Sequence, residues 1–355
     1  MDMSISLPTT PHSWEVAVRA EQLGYSHAWF YDTALLNAEL FASMAVAAVK
    51  TSKIKLFSGV MIPSYRIAPV AASGLATLNA LAPGRIGFGV GTGFTGRRTL
   101  GLKPVPLARL AKYVEVVQSL LAGKLVEWDE EGCAQKIHFI DPELSLINLT
   151  DLIPLAISAF GPKARTLVTK YGAQWIGAAS YPERERAEIE QIRGDWIASG
   201  REPEDFYPIC SIGGCVLDDG ESFDSARTVA QAGPNASVMF HAAVEAAEFG
   251  SLVPGGFPFP DELEQYRKVY NGYEPADARY LANHRGHTMV VRPDETYLTG
   301  NIIKALTLTG TREELVGRLK AIKALGFKQA QFRLVPGHEE EMMERWAAVM
   351  AEVNG

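Results

Sequence analysis

The chain has 355 residues, and its 34 basic side chains against 41 acidic ones leave a formal charge of −7 with no basic block, which excludes the electrostatic footprint of a nucleic-acid binder. No apolar run reaches the roughly 20 residues needed to span a bilayer, and the opening MDMSISLPTT lacks both regions of a secretion signal, so a cytoplasmic protein with no membrane partner is expected. Three cysteines, Cys133, Cys210 and Cys215, without a Cys-x-x-Cys spacing exclude disulfide scaffolds, iron–sulfur sites and cysteine-rich zinc sites.

The first half alternates short β-rich runs with helical stripes. Ser4 to Leu7 predicts a strand; Val16, Ala17, Ala20 and Leu23 then mark one face of a helix that Gly24 stops. Strands follow at His27 to Tyr31, Ile54 to Ile62 and Arg85 to Gly91, separated by helices over about 38–50 and 69–81. Leu107, Leu110, Val114, Val117 and Leu121 mark the fourth helix. The second half predicts strands at Leu155 to Ala159, Gln174 to Gly177, Pro208 to Leu217 and Gln329 to Val335, the last after a helix from Glu313 to Leu325. LGYSHAWF at Leu23 to Phe30 and LGFKQAQF at Leu325 to Phe332 echo one another as helix end, left-handed glycine cap and strand.

Eight βα units in one chain predict an α/β fold, a (β/α)8 TIM barrel forming one domain over 1–355. A doubly wound open sheet with a second domain is the rival. Two insertions interrupt the rhythm: 126–152, after the fourth helix, reads as a hairpin, and 234–301, between the seventh and eighth strands, reads as a lid or interface element because GGFPFP and YNGYEP preclude one continuous helix.

In a parallel barrel the chemistry gathers at the C-terminal strand ends. The second strand delivers Asp32 and Thr33 there, Asp32 being equally suited to capping. Gly59 interrupts the third strand, where a bulge, a close ligand or a packed neighbour would each require it. Gly87, Gly89, Gly91 and Gly93 recur at period two in the fourth, stripping one face of side chains; packing suits Gly87 and Gly89, and a ligand suits Gly91, Thr92 and Gly93 at the strand end. The match of that segment to G-x-G-x-x-G lacks the helix a Rossmann fingerprint opens into. Arg97 and Arg98 suit either an anionic ligand or solvent. In ISAFGPKA a strand turns through Gly161 into a helix with Pro162 at its start, and free amides beside Lys163 form a phosphate site. Ser180 stands at the end of the sixth strand. His284 and His287 have i, i+3 spacing, but no further ligands complete a metal shell, so no metal is expected; acid–base work in a lid and plain surface structure both remain open.

WFYD, SGVMIPSYRIAP, LAPGRIGFGVGTG, RLAKYVEVVQSLLAGK, PLAISAFGPKA and LTGTREELVGRLKAIKALGF together resemble the bacterial luciferase-like superfamily of flavin-dependent oxidoreductases over nearly the whole chain. The resemblance is greatest to the branch that uses the deazaflavin coenzyme F-420, such as methylenetetrahydromethanopterin reductase; FMN-using relatives share much of the pattern. It implies that Asp32 and Thr33 flank the reactive ring, that Gly59 and Val60 underlie it across a non-proline cis peptide, and that Gly91, Thr92 and Gly93 border it. It further implies that Ala159, Gly161, Pro162 and Lys163, with Ala179 and Ser180, hold the cofactor; His284 and His287, from their place in the lid segment, join Asp32 and Thr33 as catalytic candidates. Phe94 replaces a glutamate and Thr33 a histidine of the sugar-phosphate-oxidising members, which argues against glucose 6-phosphate as substrate. The expectation is an oxidoreductase that takes coenzyme F-420 or FMN and exchanges a hydride with, or monooxygenates, a small organic substrate. Its expected partners are a second copy in a homodimer and, with FMN, a separate flavin reductase. The alternative is a flavin-holding barrel without turnover.

Overall fold

The computed structural model describes residues 1–178, 182–249 and 256–355. Eight parallel strands close a barrel: β1 (Asp2–Leu7), β2 (His27–Phe30), β3 (Lys55–Ser58), β4 (Ile86–Val90), β5 (Leu155–Ser158), β6 (Gln174–Ala178), β7 (Pro208–Ile212) and β8 (Gln329–Arg333), each beside its sequence neighbour and β8 back on β1. The connecting helices include α1 (Ser13–Gln22), α2 (Leu40–Lys50), α3 (Ala68–Leu81), α4 (Leu107–Leu121), α5 (Pro162–Tyr171) and α6 (Pro182–Ala198). Gly24 and Gly326 both take positive φ, 83° and 104°, between a helix and a strand, the conformation that their shared sequence requires and only glycine adopts cheaply.

Strand alternation builds two layers of core. Ile5, Ala28, Phe30, Leu56, Phe88, Ala330 and Phe332 face outward into the main cluster with the helices, while Trp29, Phe57, Ala156, Ile176 and Ile209 fill the interior. A Cβ on Gly87 would lie 2.1 Å from the Phe57 ring, and one on Gly89 would lie 2.1 Å from the Ser58 carbonyl oxygen. Both glycines are therefore demanded by packing.

Two strands stop earlier than their apolar runs suggest. β3 ends at Ser58, before a cis Gly59–Val60 bond. β7 ends at Ile212 because Gly213 and Gly214 let other chain segments come close: a Cβ on Gly214 would meet the Leu308 carbonyl oxygen at 2.1 Å. Val216–Leu217 instead pairs with Gly310–Thr311 outside the barrel. Val126–Glu130 and Cys133–Ile137 form an antiparallel hairpin turned by Glu131 and Gly132, both at positive φ, as a two-residue hairpin turn requires.

The chain between β7 and β8 carries α7 (Ala226–Val244), α8 (Pro260–Asn271) and several short helices before α9 (Arg312–Ala324), and α10 (Glu339–Asn354) closes the fold. Pro234 lies inside α7 rather than at the start of a loop. Phe240, Tyr266, Tyr270, Tyr297, Ile302 and Ile303 give this region a hydrophobic cluster of its own.

At the N-terminal end of the barrel interior, His27 Nδ1 accepts from Gln329 Nε2 at 2.8 Å and lies 2.7 Å from Ser26 Oγ. Burial, reinforced by the nearby Lys55 ammonium, lowers its pKa to about 4, so the imidazole stays neutral in the fold while it charges below about pH 6.5 in the unfolded chain. A depressed basic group destabilises the fold as pH falls through the unfolded value. Urea unfolding of the wild-type chain is expected to lose about 2 kcal/mol more between pH 7 and pH 4.5 than that of His27→Gln; parallel pH profiles would contradict the assignment.

Candidate active site at the barrel mouth

The floor of the mouth is made of backbone. Past β3, Met61 N donates to the Gly89 carbonyl at 2.8 Å and Gly91 N donates to the Met61 carbonyl at 3.1 Å, so the Gly59–Val60 turn is fixed against β4. A Cβ on Gly59 would meet Trp29 Cβ at 2.8 Å; one on Gly91 would meet Val60 Cγ2 at 2.9 Å and Ser158 Cβ at 3.3 Å. Gly93 has φ 77°, and the Thr92 carbonyl accepts from Val105 N at 2.8 Å. These contacts pack Gly59 against Trp29, and Gly91 against Val60 and Ser158, so neither glycine position has room for a side chain.

Asp32 is buried, and both of its oxygens meet Arg66 Nη1, at 3.0 and 2.8 Å, with the Ile62 amide at 3.4 Å from Oδ2. Burial raises its pKa against the opposing pull of Arg66. The carboxylate thus ties the end of β2 to the segment after β3. Thr33 is half-buried at the rim, its carbonyl accepting from Asn37 N at 2.9 Å. Tyr31 continues the inward alternation of His27 and Trp29, and its hydroxyl lies 3.3 Å from Ser6 Oγ.

The chain after β7 supplies the opposite wall. His284 is buried, with Nδ1 3.0 Å from Thr95 Oγ1 and Nε2 3.1 Å from Glu245 Oε2. Glu245 Oε2 also accepts from Arg98 Nε at 2.9 Å, and Oε1 accepts from Asn283 Nδ2 at 2.7 Å. Burial pushes the Glu245 pKa up, yet His284, Asn283 and Arg98 together hold it below its ordinary value. Arg97 and Arg98 are both buried; Arg97 Nε donates to the Lys103 carbonyl at 2.7 Å, so neither arginine serves solvent as the sequence allowed. Phe94 sets its ring edge-on to His284 and His287, with centroids 5.0 and 5.8 Å apart. His287 Nδ1 lies 3.5 Å from His241 Nδ1, and His241 Nε2 lies 2.5 Å from Glu295 Oε1. Burial and neighbouring positive charge depress the pKa of both His241 and His287 well below the usual imidazole range, and burial raises that of Glu295.

The third wall is the start of α5. Gly161 is its N-cap in extended backbone, no side chain caps it, and a Cβ there would meet nothing within 4 Å. Lys163 is exposed beside these amides, whereas Arg165 is buried, its Nη1 donating to the Phe160 carbonyl at 3.0 Å and pairing with Glu188 at 3.0 Å. Ala159 is buried, its carbonyl accepting from Trp175 Nε1 at 2.9 Å. Ala179 and Ser180 lie outside the described residues. A cleft of about 480 Å³ lined by Pro154, Gln174 and Tyr207 opens at the other, N-terminal end of the barrel, away from these groups.

A closed βα barrel with this glycine-floored mouth matches, over residues 7–329, the family described as luciferase-like monooxygenase. The chain belongs to the luciferase-like monooxygenase family. Among relatives, it is 30% identical over 215 residues to 5,10-methylenetetrahydromethanopterin reductase of Archaeoglobus fulgidus, covering 60% of this chain and 61% of the relative. It is 28% identical over 191 residues to limonene 1,2-monooxygenase of Rhodococcus erythropolis, covering 51% and 47%. The chain thus spans less than two thirds of the length of these curated relatives. An F-420-dependent secondary alcohol dehydrogenase shares the fold with TM-score 0.70 at 19% identity over 99% of this chain and 98% of that one.

Within this luciferase-like chain, the mouth brings Thr33, Gly59, Val60, Gly91, Thr92 and Gly93 to one rim and turns Asp32 toward Arg66. Sequence reasoning passed over His241, Glu245 and Glu295, which sit in irregular or helical stretches with no period to flag them. It also passed over Arg333, which the alternation of Gln329, Gln331 and Arg333 could have revealed. Arg98→Met should destabilise the protein by about 3–5 kcal/mol by leaving Glu245 buried and without its cation; urea unfolding checks this, and a loss under 1 kcal/mol would show that the pair is dispensable.

Proposed function

We propose that this chain is an oxidoreductase that takes coenzyme F-420 and exchanges a hydride with a small organic substrate at the C-terminal mouth of its barrel. The observation that carries the reading is the conjunction of a floor in which Gly59 and Gly91 flank Val60 with an uncapped helix start at Gly161 beside Lys163. A flat ring suits the first and a phosphate the second. Relatives named as F-420-dependent dehydrogenases support F-420. A limonene monooxygenase among the relatives keeps FMN-based oxygenation, with its separate flavin reductase, as the second reading.

When bound, the cofactor supplies the redox chemistry and the protein supplies position and electrostatics. Gly59 and Val60 would support one face of the ring and Gly91 to Gly93 its edge. Gly161, Pro162 and Lys163 would hold the phosphate, with Ala159, Ala179 and Ser180 beside it. Asp32 keeps the β2 and β3 ends in register through Arg66. His287, held neutral in the fold, is the candidate proton acceptor, and His241 with Glu295 positions it; His284, spent on Thr95 and Glu245, anchors the wall. Thr33 faces the rim, where substrate contact is expected.

Titrating F-420 and FMN separately against the purified protein by fluorescence identifies the cofactor: saturable F-420 binding and no FMN binding is the expected result. Lys163→Ala should weaken that binding by about 1.5–3 kcal/mol, roughly 10- to 150-fold, the worth of a charge-assisted hydrogen bond. An unchanged affinity would remove Lys163 from the site.

A further inference from the structure

The mouth has a side opposite its glycine floor, where β8, β7, β1 and β2 end. Arg333 is the last residue of β8 and lies inward in register with Ser6 of β1. Its Nε donates to Ser211 Oγ of β7 at 3.1 Å. The side chain is half-buried, and among the described residues no carboxylate forms an ion pair with it. Glu185 and Arg333 both act electrostatically on Cys210. Cys210 faces outward into the main core, away from the interior.

The groups around Arg333 are donors or neutral. Tyr31 presents its hydroxyl from β2, supported by Ser6 and Thr288, and senses the Arg333 charge; His287 senses it as well. Phe332 pairs with Ile212, which sets Gly213 beside Arg333. A Cβ on Gly213 would strike Asn235 at 2.4 Å, so the carboxamide of α7 occupies the space that a side chain there would fill. Asn235 is 7% exposed, and among the described residues neither its Nδ2 nor its Oδ1 has a hydrogen-bond partner. A half-buried guanidinium without a counter-ion among the described residues and a buried amide without a partner lie at one rim, and the amide is costly to leave so. A ligand bearing an anionic oxygen satisfies both.

We propose that Arg333 and Asn235, with Tyr31 and Ser211, form a subsite for a carboxylate, so that the substrate of this enzyme is a small organic acid anchored by its carboxylate at the ends of β7 and β8. This rests on reading the mouth as the reaction site. The carboxylate pairs with the planar guanidinium and takes an N–H from Asn235. The rest of the molecule then extends toward the glycine floor, past Tyr31 and His287. The subsite lies on different strands from Gly161 and Lys163, so its ligand is the substrate and not the cofactor phosphate.

The test is calorimetric titration of the wild-type protein, with and without saturating F-420, using monocarboxylates from acetate to benzoate and their neutral amides. At least one carboxylate should bind at least tenfold more tightly than its amide. Arg333→Met should remove that preference, Arg333→Lys should keep part of it, and Asn235→Ala should weaken the carboxylate several-fold. F-420 affinity, read separately by fluorescence, should stay within about twofold in every variant; circular dichroism confirms folding. Carboxylates that bind no better than amides, or a preference that survives in folded Arg333→Met, would overturn the subsite. Loss of F-420 binding in Arg333→Met would assign the cation to the cofactor and equally overturn it. Absence of F-420 binding to the wild type, with carboxylate preference intact, would instead count against the cofactor reading alone.

Discussion

The pairing of Arg98 with Glu245 joins two parts of the chain far apart in sequence, and both side chains are almost wholly withdrawn from water. A buried ion pair is weak evidence for net stability, because desolvation offsets the attraction. Here its value is geometric. Glu245 also receives His284 and Asn283, Asn283 receives Tyr266, and Arg292 bonds Tyr266 at 2.7 Å. Through this network Glu245, Asn283, His284 and Arg292, from the region between β7 and β8, are connected to the short helix that follows β4, and so to the glycine rim. Breaking one link leaves a buried charge or amide unmatched, so the arrangement holds as a whole.

The electrostatic character of the mouth follows from how its charges are spent. Asp32 is paired with Arg66, Glu245 with Arg98 and Glu295 with Arg292, while His284 and His241 lie within hydrogen-bond distance of the latter two carboxylates. What remains at the rim is the His287 imidazole, the Tyr31 and Ser211 hydroxyls, backbone, and Arg333, whose Nε bonds Ser211 Oγ. Under the proposed function, the glycine side would take the ring and the Arg333 side a negative group.

The fold was legible because its signals are periodic. The recurrence of β-rich runs and the stripes of α1 and α4 mark the βα units, and Gly24 and Gly326 mark turns between helix and strand. The cis Gly59–Val60 bond was legible only through resemblance, since the residues alone allow a packed neighbour as a reason for the glycine, and such a contact, with Trp29, is also present. The strand ends were misjudged at Ile212, where Gly213 and Gly214 answer to Asn235 and Leu308, partners distant in sequence. For the same reason His284 could be noticed as one of a pair, but not as the partner of Thr95 and Glu245. A site assembled from separate elements has no local pattern, and Arg97 and Arg98 show that even adjacent charges do not declare whether they face water.

The aromatic cluster of Phe240, Tyr266, Tyr270 and Tyr297 is separate from the core that α1 to α4 share with the strands. Segments with their own apolar nucleus open as cooperative units, with a free energy below that of global unfolding. The region between β7 and β8 therefore has a route to exchange its amide protons, or to let a molecule in and out, that leaves the strands paired. The polar network at its edge sets how often that route is taken.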